Sequence, residues 1–147
     1  MSWSAVKIVG FDVLDMNNRR ISDCFVDDEV RLVLSLHAYC DIPAGAQIGV
    51  LCRDERGNDI FATNLVNYAL FLPELRAGQK AVVSWSFRIP VFGLFFFSCG
   101  IKPEEVAPVF YDRPFNVASL RTIRRNRNDR VTSLLSIPPC NFELEIR

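Results

Sequence analysis

The chain has one histidine, His37. A single imidazole excludes the common multi-histidine metal sites, and no cysteine–histidine group has zinc spacing. There is no Gly-rich phosphate loop of the Walker type, so this chain by itself is not a P-loop ATPase. There is no Gly-x-Ser-x-Gly elbow either, and a Ser/His/Asp triad would have to be built on His37 alone. Neither charge sign is in excess: seventeen basic residues balance seventeen acidic ones. No global field therefore favours nucleic acid or an anionic membrane. The longest apolar-rich run, Ile89 to Phe97, is interrupted by Pro90 and Gly93 and is too short to span a bilayer. Five cysteines, Cys24, Cys40, Cys52, Cys99 and Cys140, are an odd number without a C-x-x-C pair. They are expected to be small core residues in a reducing compartment. With no basic-then-apolar opening segment, the expectation is a soluble, cytoplasmic protein needing no metal or cofactor.

What is present is apolar and aromatic. Half of the 147 residues are hydrophobic and twelve are phenylalanine, enough for the sizeable core of one domain, taken as residues 1–147. The clearest pattern is a strand in which Val30, Leu32, Leu34, Leu36 and Ala38 alternate with Arg31, Val33, Ser35, His37 and Tyr39. The first set faces a core, and the second faces outward and ends in an imidazole and a phenol. Before it, Ser4 to Leu14 reads as a strand with Ala5, Val9, Phe11 and Val13 on one face, closed by a turn at Met16–Arg20.

The centre of the chain is a predicted hairpin from Ile48 to Tyr68. Ile48, Val50 and Cys52 alternate along its first arm, and Asp54-Glu55-Arg56-Gly57-Asn58-Asp59 forms its turn. Gly57 or Asn58 can take positive φ there, and Asp54 can accept from the turn's own amides. Tyr68 to Pro73 reads as a loop or short helical turn. Ala81 to Ile89 then places Val83, Trp85, Phe87 and Ile89 inward and Ser84, Ser86 and Arg88 outward, and Pro90 ends it. Leu94 to Ile101 is apolar on both faces, which fits a central strand or a ligand-facing Phe96; with the opposite phase Phe96 is core. Pro114 to Val117 begins another strand.

Arg121 to Arg130 holds five arginines and two asparagines in ten residues. It reads as a phosphate or nucleic-acid patch, or as a solvated loop. Overall neutrality and the lack of interleaved aromatics favour the loop and argue against a nucleic-acid partner. Strand character returns at Val131–Ile137. After Pro138-Pro139, Phe142, Leu144 and Ile146 alternate with Glu143, Glu145 and Arg147 as a half-buried last strand, about 141–147. Strands every ten residues or so, frequent Gly/Pro turns and no long 3.6-residue period predict an all-β antiparallel sandwich. A last strand on a long tether can pair with a second copy as readily as with its own chain, which predicts a homodimer by strand exchange.

For chemistry, His37 could act as a base, but the carboxylate pairs Asp54/Asp59 and Asp27/Asp28 sit in turns, where capping and solvation account for them. A non-catalytic protein is the stronger reading. The outward side chains Ser35, His37, Tyr39, Arg53, Ser84, Ser86, Arg88, Phe96 and Ser98 combine planar and hydrogen-bonding groups. Sugar rings lie with their C–H faces on aromatics and exchange hydrogen bonds with polar side chains. His37, Tyr39, Arg53, Ser86, Arg88 and Phe96 are the candidate contacts. The competing reading is a dimerisation module that binds no sugar.

Several segments together resemble a known family. They are Gly-Phe-Asp-Val-Leu-Asp at 10–15, the strand 30–39, the hairpin pattern Asp-x-x-Gly-x-x-Ile-Phe-x-Thr-Asn at Asp54, Gly57, Ile60, Phe61, Thr63 and Asn64, Leu-Arg-Ala-Gly-Gln at 75–79, Gly-Leu-Phe-Phe-Phe-Ser-Cys-Gly-Ile at 93–101, and Phe-Tyr-Asp-Arg-Pro-Phe-x-Val at 110–117. In this order they are similar to the C-terminal domains of Wzt-type proteins, the nucleotide-binding subunits of ABC transporters that export O-antigen polysaccharide. The likeness covers about residues 5 to 117 and is weak from Ala118 onward. It implies an immunoglobulin-like, jelly-roll-like sandwich that binds the non-reducing end of a finished glycan, often through a methyl or phosphate cap, and couples completion to export. It also implies partners, the transporter's nucleotide-binding domain and membrane permease at the inner face of the cytoplasmic membrane, and dimerisation by exchange of the last strand. The missing Walker motif then means an excised or separately encoded domain. The resemblance carries over no ligand residues, and Asp54, Gly57, Thr63 and Asn64 are expected to build the hairpin.

Overall fold

The structure, a computed structural model, describes residues 5–64, 71–104, 109–124 and 141–147. Among these, every regular element is a strand: β1 (Val6–Leu14), β2 (Asp23–Phe25), β3 (Glu29–Ala38), β4 (Gln47–Asp54), β5 (Asp59–Asn64), β6 (Lys80–Arg88), β7 (Gly93–Lys102), β8 (Ala118–Ile123) and β9 (Asn141–Ile146). They form a four-stranded sheet in the order β1-β3-β6-β9 and a five-stranded sheet in the order β2-β8-β7-β4-β5. All pairings are antiparallel except that of the short β2 with β8, which is parallel.

Alternation along each strand decides what the layers enclose, because side chains two residues apart share a face. On β3, Val30, Leu32, Leu34, Leu36 and Ala38 are all buried. Beside them on β6 lie Ala81, Val83, Trp85 and Phe87. The facing sheet contributes Ile48, Val50 and Cys52 from β4, Phe95, Phe97, Cys99 and Ile101 from β7, and Leu120 from β8. Aromatic contacts cross between the layers: Phe87 meets Phe97 edge-on with centroids 5.9 Å apart, and Phe61 meets Phe87 at 5.5 Å. Such pairs fix how the sheets sit on each other beyond what burial of their area does. Burial pushes the Cys99 thiol up to about 12 and the Cys52 thiol higher still, with Asp112 and Asp54 respectively adding smaller upward pushes. Both therefore behave as small apolar core groups, whereas Cys40 is exposed.

Two expectations need correcting. β1 does not keep one phase. Its register with β3 shifts between Ile8 and Gly10, so Val6 faces the core before the bulge and Phe11 and Val13 after it. Val9, expected inside, is 55 % exposed at the shift, because one extra residue on one strand moves every later side chain to the other face. The arginine-rich run is not loop from its start. Arg121, Thr122 and Ile123 belong to β8, and the buried Thr122 hydroxyl donates to Val91 O at 2.6 Å. Residues 125–130 of that run, the strand expected at 131–137 and residues 68–70 of the expected Tyr68–Pro73 turn lie outside the described residues. β9 lies where the pattern put it, antiparallel to β6, with Val83 opposite Leu144 and Ala81 opposite Ile146.

The central hairpin forms as expected. Gly57 has φ 83°, and Asp54 Oδ1 accepts from the amides of Arg56 and Asn58, each at 2.9 Å. Asp59 pairs with Arg53, and Asp28 Oδ2 accepts from Phe25 N at 3.0 Å. These turn carboxylates are engaged by neighbouring amides and by Arg53.

Candidate ligand-binding site

The six residues proposed from the sequence fall on opposite exteriors of the sandwich. His37, Ser86 and Arg88 project from the outer face of the four-stranded sheet. His37 stacks on Tyr39, just beyond the end of β3, with ring centroids 4.3 Å apart. His37 lies opposite Lys80 and Glu29 opposite Arg88, so His37 and Arg88 occupy the two ends of the β3–β6 pair. Eight residues at roughly 3.3 Å each separate them by about 26 Å. Arg88 is engaged by Glu29 at 3.4 Å and donates to Asp27 O at 2.8 Å. Arg53 and Phe96 are cross-strand neighbours on the outer face of the other sheet, and Arg53 Nε lies 2.7 Å from Asp59 Oδ1. Ser84 and Ser98, also expected on the exterior, are covered.

A cavity of about 250 Å³ opens on the exterior of the five-stranded sheet, beside Arg53 and Phe96. Its floor is laid by β4 and β7. Gly49 lies directly opposite Gly100, with Gln47 opposite Lys102 on one side and Leu51 opposite Ser98 on the other. Two facing glycines leave β4 and β7 without side chains at the centre; the Phe110 ring fills the space over Gly100, while Gly49 is half-buried. One wall is Ala62 to Asn64 of β5.

The other wall is the segment 109–117, which runs back along β7 ahead of β8. Tyr111 N donates to Ile101 O at 2.7 Å, Cys99 N to Pro114 O at 3.1 Å, and Val117 N to Phe97 O at 2.8 Å. Asn116 N donates to Ser98 Oγ at 2.9 Å, which accounts for the covering of that serine. With Tyr111 turned into the core, Phe110 is left on the outside, its ring against Gly100. The Arg113 guanidinium lies 4.5 Å from the Phe110 centroid and 5.1 Å from that of Phe115, and Lys102 Nζ lies 4.9 Å above Phe110. The pocket thus combines aromatic rings, side-chain amides, a hydroxyl and two cations. That mixture can hold a polar ring with one apolar face.

Sequence reasoning reached this sheet through Arg53, Phe96 and Ser98 but missed Gly49, Asn64, Gly100, Lys102, Phe110, Arg113 and Phe115. Two signals pointed there: a glycine inside the very apolar strand β7, which marks close approach of another group, and the aromatic–arginine cluster at 110–115.

A two-layer sandwich with its cavity on a sheet exterior, lined by rings and hydrogen-bonding groups, is the layout of a binding domain. The chain belongs to the Wzt C-terminal domain family, which it matches over residues 4–136. Among solved structures it is similar to one titled the crystal structure of the C-terminal domain of wzt, with a TM-score of 0.75 and 14% identity. That match covers 90% of this chain and 86% of the other, and at such identity it is a likeness of fold. No curated protein sequence matches the chain. Among the described residues no helix is long and apolar enough to cross a membrane.

Proposed function

We propose that this chain recognises, without catalysis, the non-reducing terminus of an O-antigen polysaccharide and couples completion of the glycan to its export by an ABC transporter. Membership of the Wzt C-terminal domain family supports the transport context. The observation that carries the reading is the pocket itself, where Phe110, on Gly100, together with Phe115, Ser98 and Asn64 surrounds the backbone at Gly49. A saccharide tip lies there with its C–H face on an aromatic and its hydroxyls on the side chains. Arg53 and Phe96 extend the same face by one row and contact the next sugar. His37, Tyr39, Ser86 and Arg88 belong to a separate exterior and do not share that ligand.

In this reading the domain works at the inner face of the cytoplasmic membrane, beside the transporter's nucleotide-binding domain and its permease, and as a homodimer. A shallow pocket gives modest affinity: a millimolar site corresponds to about −4 kcal/mol. Two domains on one complex raise the apparent affinity through effective concentration.

Titration of the labelled chain with O-polysaccharide from its own host, followed by amide NMR shifts, tests this. The expected result is a set of shifts at Gly49, Ser98 and Gly100, with His37 and Arg88 unmoved. Shifts confined to the His37 face would move the site to the other sheet. No shifts at all would favour the alternative, a structural dimerisation module that binds no sugar.

A further inference from the structure

β4 and β7 lay the floor of the first cavity and then run on to a second. It is also about 250 Å³, and it lies where the β4–β5 turn, Asp54 to Arg56, meets the segment 91–95. Asp54 is opposite Phe95 in register, one row past the Arg53–Phe96 pair. Ile60, Val91 and Phe95 are buried and give this cavity an apolar base. Phe92, in its lining, is 45 % exposed, and the Arg124 guanidinium lies 3.7 Å from the centroid of that ring. A ring face orients a cation and leaves its N–H donors in place.

The two cavities present different chemistry. The lining of the first has no carboxylate, whereas that of the second includes Asp54 and Glu55. Asp54 is committed to its own turn, its Oδ1 accepting from the Arg56 and Asn58 amides and its Oδ2 from the Asn58 side chain at 3.0 Å. Glu55 is exposed. An aromatic ring, a carboxylate acceptor and a guanidinium donor beside an apolar base form a set that a hydroxyl-bearing ring can use. Between the cavities the β4–β7 exterior carries Leu51 beside Ser98 and Arg53 beside Phe96. Five steps from Gly49 to Asp54, at roughly 3.3 Å each, make about 17 Å. One sugar ring is too short to fill both cavities, whereas one glycan chain can reach both.

We propose that the second cavity is a further saccharide subsite. It takes a hydroxyl-rich sugar lying several units inward from the tip, with its apolar face on Phe92, its hydroxyls donating to Glu55 and accepting from Arg124. The domain then reads an internal stretch of the polymer as well as its end. This assignment rests on the reading of the first cavity as the glycan seat and adds a second point of contact along the same chain.

The test titrates the full labelled chain with fragments of the host O-polysaccharide that keep the non-reducing end, fractionated by length. Short fragments are expected to shift the Gly49, Ser98 and Gly100 amides only. Long fragments should shift these together with Arg56, Gly93 and Leu94, and should bind at least about tenfold more tightly, the scale of one charge-assisted contact made from an already tethered chain. Phe92→Ala and Glu55→Gln, both at exposed positions, should each remove most of that gain and leave short-fragment binding as in the parent. Long fragments that bind no more tightly than short ones, with Gly93 unmoved, would overturn the subsite and leave the first cavity as the glycan seat. A gain that survives both substitutions would overturn it as well. Shifts at Gly93 without shifts at Gly49 would overturn the arrangement of one chain across both cavities. Silence of both sets of amides to every fragment would overturn the subsite and the glycan reading together.

Discussion

Phe110 lies so closely on Gly100 that a Cβ added there would come within 2.8 Å of the ring. The contact sets the height of the pocket wall, because nothing but backbone separates the ring from β7. Gly100→Ala is therefore expected to push Phe110 outward and with it Arg113, whose guanidinium lies 4.5 Å from that ring's centroid. Since Phe110 lies at the surface end of its segment, the stability cost should fall at the low end for overpacking, about 1 kcal/mol. Glycan binding should fall much further. Chemical denaturation and an O-polysaccharide titration of the same variant measure the two effects. A variant that binds as the parent does would show that Phe110 is not part of the wall that matters.

Asp112 connects that wall to the opposite sheet. β1 is an edge strand, so its outward amides have no ladder partner, and Ile8 N donates instead to Asp112 Oδ2 at 2.8 Å. Asp112→Ala leaves a part-buried amide without its acceptor, which costs about 1–3 kcal/mol. Faster hydrogen exchange at the Ile8 amide should accompany the lower midpoint, together with broadened resonances for Phe110 and Arg113. Unchanged exchange at Ile8 would mean that the bond does not hold the segment.

Much of this layout was legible in the residue order, and the exceptions have physical reasons. The alternation from Val30 to Tyr39 and from Ala81 to Arg88 fixed both faces of β3 and β6, since a one-residue slip would expose a whole apolar set. The Asp54–Asp59 turn was readable because its chemistry is local. β1 was misphased because a bulge leaves no mark in an otherwise alternating string; it shows only against its partner strand. The pocket was missed for a similar reason. Gly49 and Gly100 are far apart in sequence and become a floor only when β4 and β7 pair, and Lys102, Phe110 and Arg113 converge only through the backbone bonds of 109–117 to β7. The six proposed contacts were selected for facing outward, and a sandwich has two outsides.

Asp54 supplies a pH signature. Its carboxyl is held below the usual carboxylate range, first by the hydrogen bond from the Asn58 amide, then by the Asn58 side chain, with smaller contributions from the Arg56 amide and charge. A depressed native value means that the charged form stabilises the hairpin. The contribution is complete above the unfolded value, about 3.9, and disappears as pH falls through the native value. Asp54→Asn should therefore melt below the parent at neutral pH, and the gap between them should close as pH falls below the ordinary carboxylate value. In the parent, the Arg56 and Asn58 amide shifts should titrate together, below pH 3.9 or thereabouts. A titration centred at the ordinary carboxylate value would show that the hairpin does not depend on this charge.

The pairing of β9 offers a direct test of dimerisation. Ser84 of β6 faces Glu143 of β9 in register, so cysteines at both positions can form a cross-strand disulfide whichever copy supplies β9. In a Cys40→Ser background, which removes an exposed thiol, the Ser84→Cys/Glu143→Cys variant is oxidised at micromolar concentration and run without reductant. If β9 is exchanged in the proposed homodimer, the product is a covalent dimer held by two symmetric bridges. If each chain keeps its own β9, the same oxidation gives a monomer closed on itself, with a raised melting temperature because the bridge constrains the unfolded chain. Dilution before oxidation distinguishes exchange from chance collision: a swapped pair keeps its partner over minutes, whereas random cross-linking falls with concentration. A monomeric product at every concentration would remove the exchanged strand from the proposal and leave the proposed glycan site, built wholly from the other sheet and the segment 109–117, unaffected.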